Sequence, residues 1–186
     1  MKCRCKWCNM KNPIYIAYHD EEWGVPQFED AKLYELLVLE SFQAGLSWET
    51  ILNKRENFRQ AFDGFAPELI KDYGLEKIAS LMDDKGIIRN RRKIDATINN
   101  ARVYLEIQKE WGSFADYIWH FTEGQVVSEV NVTSSPLSDR ISKDLINRGM
   151  KFVGTTIVYS YLQAIGVIYS HDEGCYLYKD GAQLRQ

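Results

Sequence analysis

The 186-residue chain has no long apolar run. A stretch of about 18 residues or more is needed to cross a bilayer as a helix, so no membrane span is expected. The opening MKCRCKWCNMKN has no apolar core of the kind a secretory leader needs, and the sequence therefore predicts a cytoplasmic protein. Proline is scarce, with four residues, and no repeat or low-complexity segment is present. Helices can therefore run with few interruptions. A basic balance is missing too, since the formal net charge is −3. That excludes a uniformly basic nucleic-acid binder but not a local basic face. KGIIRNRRK, positions 85–93, holds five cations and no acid. Histidine occurs three times, at His19, His120 and His171, and cysteine four times, at Cys3, Cys5, Cys8 and Cys175. Clustered cysteines in a cytosolic chain favour metal or redox chemistry over structural disulfides.

What is present is a core-forming composition, 45% hydrophobic and 13% aromatic. The length suits one domain over 1–186, with a polar tail at about 177–186 and a monomer as the expected state. Helical periodicity dominates and predicts an all-α bundle of about eight helices. Residues 29–44 read as a helix with Asp30 as its N-cap and Gly45 as its stop. Ser47 caps a second helix expected from Trp48 to about Phe62. Further helices are expected over 67–73, 75–82, 93–111, 114–121, 138–147 and 155–165. The β-branched stretch 126–135 has no visible pairing partner and reads as a loop.

Three constellations carry chemistry. The first is Glu40. It follows Leu33, Leu36 and Leu37 at helical spacing, so a carboxylate lies on the apolar face. Such a group either orders the core through a buried partner or belongs to a pocket with aromatic walls, Trp48 among them. The second is LINRGMKFVGTTIVYSYLQA, two helices joined by a short glycine-bearing turn. The helix start near Gly154, Thr155 and Thr156, with Lys151 beside it, suits a phosphate, although an ordinary αα-turn has the same pattern. The third is HDEGC, which sets His171 and Cys175 four residues apart. These suit half of a tetrahedral zinc site, and His19 with one of Cys3, Cys5 or Cys8 could complete it.

Taken together, YIAYHDEEWGVP, LESFQAGLSWETILNKRENFRQAF, GIIRNRRKI, RGMKFVGTTIVYSYLQAIG and HDEGC closely resemble the DNA-3-methyladenine glycosylase I family of the helix-hairpin-helix superfamily. The resemblance runs from about Cys5 to Cys175. It implies a helix-hairpin-helix glycosylase fold whose N- and C-terminal segments are joined by one structural zinc. The implied zinc ligands are Cys5, His19, His171 and Cys175. It implies a hydrolase that flips 3-methyladenine out of alkylated double-stranded DNA and releases the free base, without lyase activity. Glu40 would be the catalytic carboxylate. Tyr18, Trp48 and Trp23 would bind the base, with Tyr15 and Trp7 as further lining. Leu46, next to Gly45, would fill the gap left in the duplex. Related glycosylases carry a catalytic Asp after the hairpin helix; here none precedes Asp172, and this family is understood to lack it. Two rivals predict otherwise. A non-catalytic zinc-stapled DNA-binding module needs no carboxylate on an apolar face, and an enzyme acting on a free heterocycle needs no DNA affinity.

Overall fold

Apolar spacing misses the first helix. In the computed structural model, which describes residues 2–179, α1 spans Pro13–Glu21. The Asn12 side chain caps it by accepting from the amides of Ile14 and Tyr15, and Pro13 presets the backbone at the first position. The buried residues are Tyr15, Tyr18 and His19, aromatic and polar rather than aliphatic. A search for aliphatic residues at helical spacing therefore passes over it. The polar tail expected at about 177–186 lies outside the described residues from position 180 onward.

The second helix, α2, spans Asp30–Gln43 and runs through the middle of the fold. Every residue from Leu33 to Phe42 is buried, so the expected stripe is in fact a helix covered on all sides. Asp30 is its first residue and not its cap, which is Glu29. The Asp30 carboxylate accepts from the amides of Phe114 and Ala115 at 2.8 and 2.9 Å, so it caps a different helix, far away in sequence. The helix expected over 48–62 is two: α3, Trp48–Asn53, and α4, Arg55–Ala61. Lys54 leaves helical geometry between them (φ −102°, ψ 0°), and its ammonium donates to the carbonyls of Lys85 and Gly86. Ser47 caps α3 as expected, accepting from the Thr50 amide.

Short helices α5 (Pro67–Ile70) and α6 (Leu75–Asp83) lead to α7, Arg91–Trp111, which Asn90 caps. Then come α8 (Phe114–His120), α9 (Pro136–Asn147) and α10 (Thr155–Ala164). Two helices start earlier than their spacing suggests. Arg91 and Arg92 precede the apolar register of α7, and a Ser135–Ser138 capping box with Pro136 opens α9. The stretch read as a loop contains β1, Val127–Ser128, paired in parallel with β2, Ile168–Tyr169. Its partner lies beyond α10, out of reach of any local reading.

α10 packs on α9 and α2, while α7 packs on α2, α5 and α8. The linker from α1 to α2 is laid across the end of α10. Gly24 N donates to Gln163 O and Gln27 N to Ile165 O, both at 3.0 Å. Gly166 makes this approach possible. It sits at φ +73°, and a Cβ there would stand 2.3 Å from the Val25 carbonyl carbon. Gly166→Ala is expected to lower stability by about 3 kcal/mol or more, since backbone must move and the left-handed conformation is strained. A urea midpoint within error of the parent protein would contradict this account of the packing.

Candidate active site and metal centre

α2 carries two buried carboxylates, and their surroundings differ. Glu35 sits between two guanidinium groups. Arg59 donates to it at 2.8 Å, Arg55 makes a shorter contact with it, and Arg55 also bridges to Glu22 at 2.8 Å. Glu40 lies 4% exposed with no cation paired to it among the described residues. Burial alone pushes its carboxyl up to about 8. One buried acid is thus neutralised by the fold, and the other lines a cavity with no cation paired to it among the described residues.

The cavity measures about 290 Å³, close to the lower end of ligand pockets and suited to one heterocycle. Six predicted residues line it together: Glu40, Trp7, Tyr15, Tyr18, Trp23 and Trp48. They come from the N-terminal loop, α1, the turn after α1, α2 and α3. The rings of Tyr18 and Trp48 meet at 5.3 Å, and Trp7 stands edge-on to Trp23 at 4.7 Å. Tyr18 Oη and Trp48 Nε1 are buried without a hydrogen-bond partner. Burial, with the Glu40 charge nearby, pushes the Tyr18 phenol well up, so it remains a donor. An unpaired donor from Tyr18, another from Trp48 and an unpaired acid from Glu40 face one small space. Buried polar groups in that state are matched by whatever fills it.

The rest of the lining was not anticipated. Asn131, Ser160, Gln163, Ser170 and Asp172 also line the cavity, together with Gln43, three residues after Glu40. Ser160 and Gln163 lie one turn apart on α10, a spacing visible in the sequence, but nothing there tells which face of α10 meets the cavity. Asn131 arrives through the β1–β2 pairing and sits at φ +61°.

Directly behind the aromatic wall, Cys5, His19, His171 and Cys175 converge. All four are buried, and one ligand atom from each lies within 4.8 Å of the others. Sγ of Cys5 is 3.4 Å from His171 Nδ1, and Sγ of Cys175 is 3.5 Å from His19 Nε2 and 3.6 Å from His171 Nδ1. Such separations are the edges of a tetrahedron with bonds of about 2.0–2.3 Å, so the residues fit a metal ion. Cys3 is exposed and Cys8 points at the Tyr15 carbonyl, which settles which thiol joins the cluster. Burial pushes the Cys5 thiol up to about 12 and the His171 imidazole down to about 4. A cation reverses the thiol's preference, because the thiolate neutralises it. A second ring of contacts orients the ligands: His19 Nδ1 lies 2.8 Å from Asp20, whose carboxyl the Arg4 guanidinium holds well below the usual range. Amides of Asp172 and Leu177 point at the two sulfurs at 3.4 and 3.5 Å. The same cluster supports the cavity wall, since the ring of Trp23 stands edge-on to His171 at 4.8 Å and Trp7 is 5.2 Å from His19.

The hairpin residues lie apart from the cavity. Asn99, Asn100 and Ser142 donate to the carbonyls of Gly149, Lys151 and Val153, which turns the 149–153 backbone inward. Lys151, Gly154 and Thr156 are exposed, and the first turn of α10 has no side-chain cap. The Thr155 hydroxyl is engaged by Asp139 and Ser138, so only its amide is offered outward. Gly45 (φ +81°) and Leu46 form an exposed turn after α2, at the edge of the cavity marked by Gln43. Of the cations in the basic stretch, Arg89, Arg91 and Arg92 are exposed, with Arg91 paired to Asp95. Lys93 is buried, contrary to the expectation of a basic junction surface.

The Glu40 environment gives a pH signature. Its folded value of about 8 exceeds the ordinary 4.5, so between those values the folded chain holds the proton more tightly than the unfolded chain. Stability tied to this group is full below pH 4.5 and is lost as pH rises through 8. Glu40→Gln removes the dependence. The variant should gain on the parent protein by on the order of 2–4 kcal/mol between pH 5 and 8. Parallel stability curves for the two proteins across that range would contradict a buried, unpaired Glu40.

Residues 7–178 match the family described as Methyladenine glycosylase. DNA-3-methyladenine glycosylase 1 of Escherichia coli K12 is 47% identical over 182 residues, covering 94% of this chain and 96% of that protein. A crystal structure of 3-methyladenine DNA glycosylase I superimposes with a TM-score of 0.91 at 46% identity, covering 95% of this chain and all of that one. The Staphylococcus aureus 3-methyladenine DNA glycosylase I, solved to explain its recognition of 3-methyladenine, superimposes at 0.89 with 34% identity over 96% of this chain and 99% of its own. The match thus takes in the segments that supply the cavity and all but one of the four clustered Cys and His residues, and the chain belongs to the methyladenine glycosylase family.

Proposed function

We propose that this chain is a DNA repair glycosylase that removes 3-methyladenine from alkylated duplex DNA by hydrolysis of the N-glycosidic bond. The observation that carries this reading is the contrast on α2. Glu35 is neutralised by two arginines, while Glu40, buried as deeply, faces an aromatic cavity without a cation. The missing cation is the substrate. Methylation at N3 gives adenine in DNA a positive charge, and the flipped base would bring that charge to Glu40.

The chemistry then needs little from the protein. The bond from the sugar C1′ to the base breaks, its electrons neutralise the base, and water adds to C1′ with loss of a proton. Glu40 acts by favouring the cationic base and accepting from its N–H groups. Trp48 and Tyr18 offer ring faces for stacking, and Trp23, Tyr15 and Trp7 complete the apolar wall. The product is free 3-methyladenine and an abasic site, with no lyase step. Leu46, presented by Gly45, occupies the space the base leaves. Lys151 and the amides of Gly154, Thr155 and Thr156 hold a phosphate at the start of α10.

Cys5, His19, His171 and Cys175 hold one zinc ion. With all four positions taken by protein, its role is structural: it pins the N-terminal loop to the C-terminal segment and so fixes Trp7 and Trp23. The protein works as one domain and as a monomer, in the cytoplasm.

Incubation with methylated duplex DNA should release 3-methyladenine, identified by chromatography, and Glu40→Gln should release it at a rate at least about tenfold lower. Release of no modified base by well-folded parent protein would falsify the reading. Elemental analysis of protein purified without chelator should find one zinc per chain. Cys5→Ala and Cys175→Ala should lose the ion, and Cys3→Ala and Cys8→Ala should keep it. Retention by Cys5→Ala would show the thiol assignment to be wrong.

A further inference from the structure

Lys93 is placed where a lysine is costly twice over. It is 7% exposed, and burying an ammonium is unfavourable. It also sits in the first turn of α7, at the positive end of that helix, alongside Arg91 and Arg92 and with no acid in the turn. What offsets this lies on another element. Lys93 Nζ donates at 2.7 Å to the carbonyl of Phe42 and at 2.7 Å to that of Ala44. These are among the last carbonyls of α2, whose own last turn contains no basic residue. A cation at the negative end of α2 satisfies groups the helix cannot pair by itself.

Those carbonyls bracket the step from pocket to mouth. Glu40 is one turn upstream of Ala44, and Gly45 and Leu46 follow immediately. The turn is closed by Leu46 N donating to Gln43 O at 2.7 Å and Gln43 Nε2 donating to Leu46 O at 2.9 Å. Gly45 and Leu46 are themselves exposed, so little packing holds this turn. Lys93 is a buried charged group that grips it, and among the described residues no other is seen to do so.

We infer that Lys93 is a positioning residue. By locking the end of α2 it presets the Gly45–Leu46 turn, so that Leu46 stands ready at the mouth of the cavity before DNA arrives. The inference rests on the proposed function for its consequence, but its structural half stands alone. Without the two hydrogen bonds the turn samples other conformations, and the apparent affinity for duplex falls by the fraction of time the turn is correctly set.

Lys93→Met keeps most of the length of the side chain and removes the ammonium that makes both hydrogen bonds. In the metal-loaded full chain, backbone hydrogen exchange at 45–47 should quicken while the rest of α2 and α7 stays protected. Catalytic efficiency on methylated duplex should fall about tenfold, chiefly through KM, with affinity for free 3-methyladenine kept within about twofold. In a Leu46→Ala background the same change should cost less than about twofold, because the residue through which Lys93 acts is already gone. Lys93→Gln, which keeps a shorter donor, serves if the methionine variant does not fold, with duplex loss again exceeding free-base loss. Unchanged exchange at 45–47, equal losses on duplex and free base, or full additivity with Leu46→Ala would each overturn the inference. If parent protein releases no base from DNA, the functional reading fails, and the exchange measurement still decides whether Lys93 sets the turn.

Discussion

A helix buried on every side must account for each polar group it carries, and α2 is such a helix. Its ten consecutive buried residues include two carboxylates and a serine, and its C-terminal carbonyls end among packed elements. The surrounding fold answers most of these demands. Arg55 and Arg59 reach Glu35, Lys93 reaches the carbonyls of Phe42 and Ala44, and Ser41 donates to the Leu37 carbonyl. The one demand left unanswered among the described residues is Glu40. A buried acid left without a cation beside one neutralised by two arginines is, on the proposed reading, the group that meets the charged base.

The aromatic residues that line the cavity with this acid must be rigid to be useful, and four of the five rings come from short, early segments with little core of their own. The Cys5, His19, His171 and Cys175 cluster, which is able to bind a metal ion, is placed to supply that rigidity. It ties Cys5 and His19 to His171 and Cys175, so the N-terminal loop and α1 are held by residues more than 150 positions away. Trp7 and Trp23 pack against the ligand rings themselves. Order in the pocket and order in the cluster are therefore one property. On the proposed reading, the ion contributes to catalysis only by keeping those rings in place.

The hairpin proposed to face DNA is built by a different device. The hairpin between α9 and α10 has its carbonyls pulled inward by Asn99, Asn100 and Ser142. Backbone amides at the start of α10 are left outward without any excess of basic residues. On the proposed reading this reconciles a net charge of −3 with phosphate binding, since oriented N–H groups and a helix end can replace formal charge.

The helical class, most element positions and the Glu40 anomaly were legible in the sequence, because each depends on residues within a turn or two. Ser47 caps α3, and the spacing of Leu33, Leu36, Leu37 and Glu40 places an acid on a buried face whatever surrounds it. The family motifs extended this to the four Cys and His residues that cluster and to the aromatic residues that line the cavity. Only the tertiary structure decided what distant residues do for one another. Asp30 looks like a local cap and caps α8 instead; Lys93 looks like a surface cation and holds the end of α2; β1 looks like a loop until β2 is laid beside it. Asn131, Ser160, Gln163 and Asp172 become one wall only when α10 and the segment after β1 meet. The physical reason is range: periodicity and capping act over about four residues of chain, whereas a salt link, a strand pairing or a cavity wall joins groups whose separation in sequence carries no trace of their proximity.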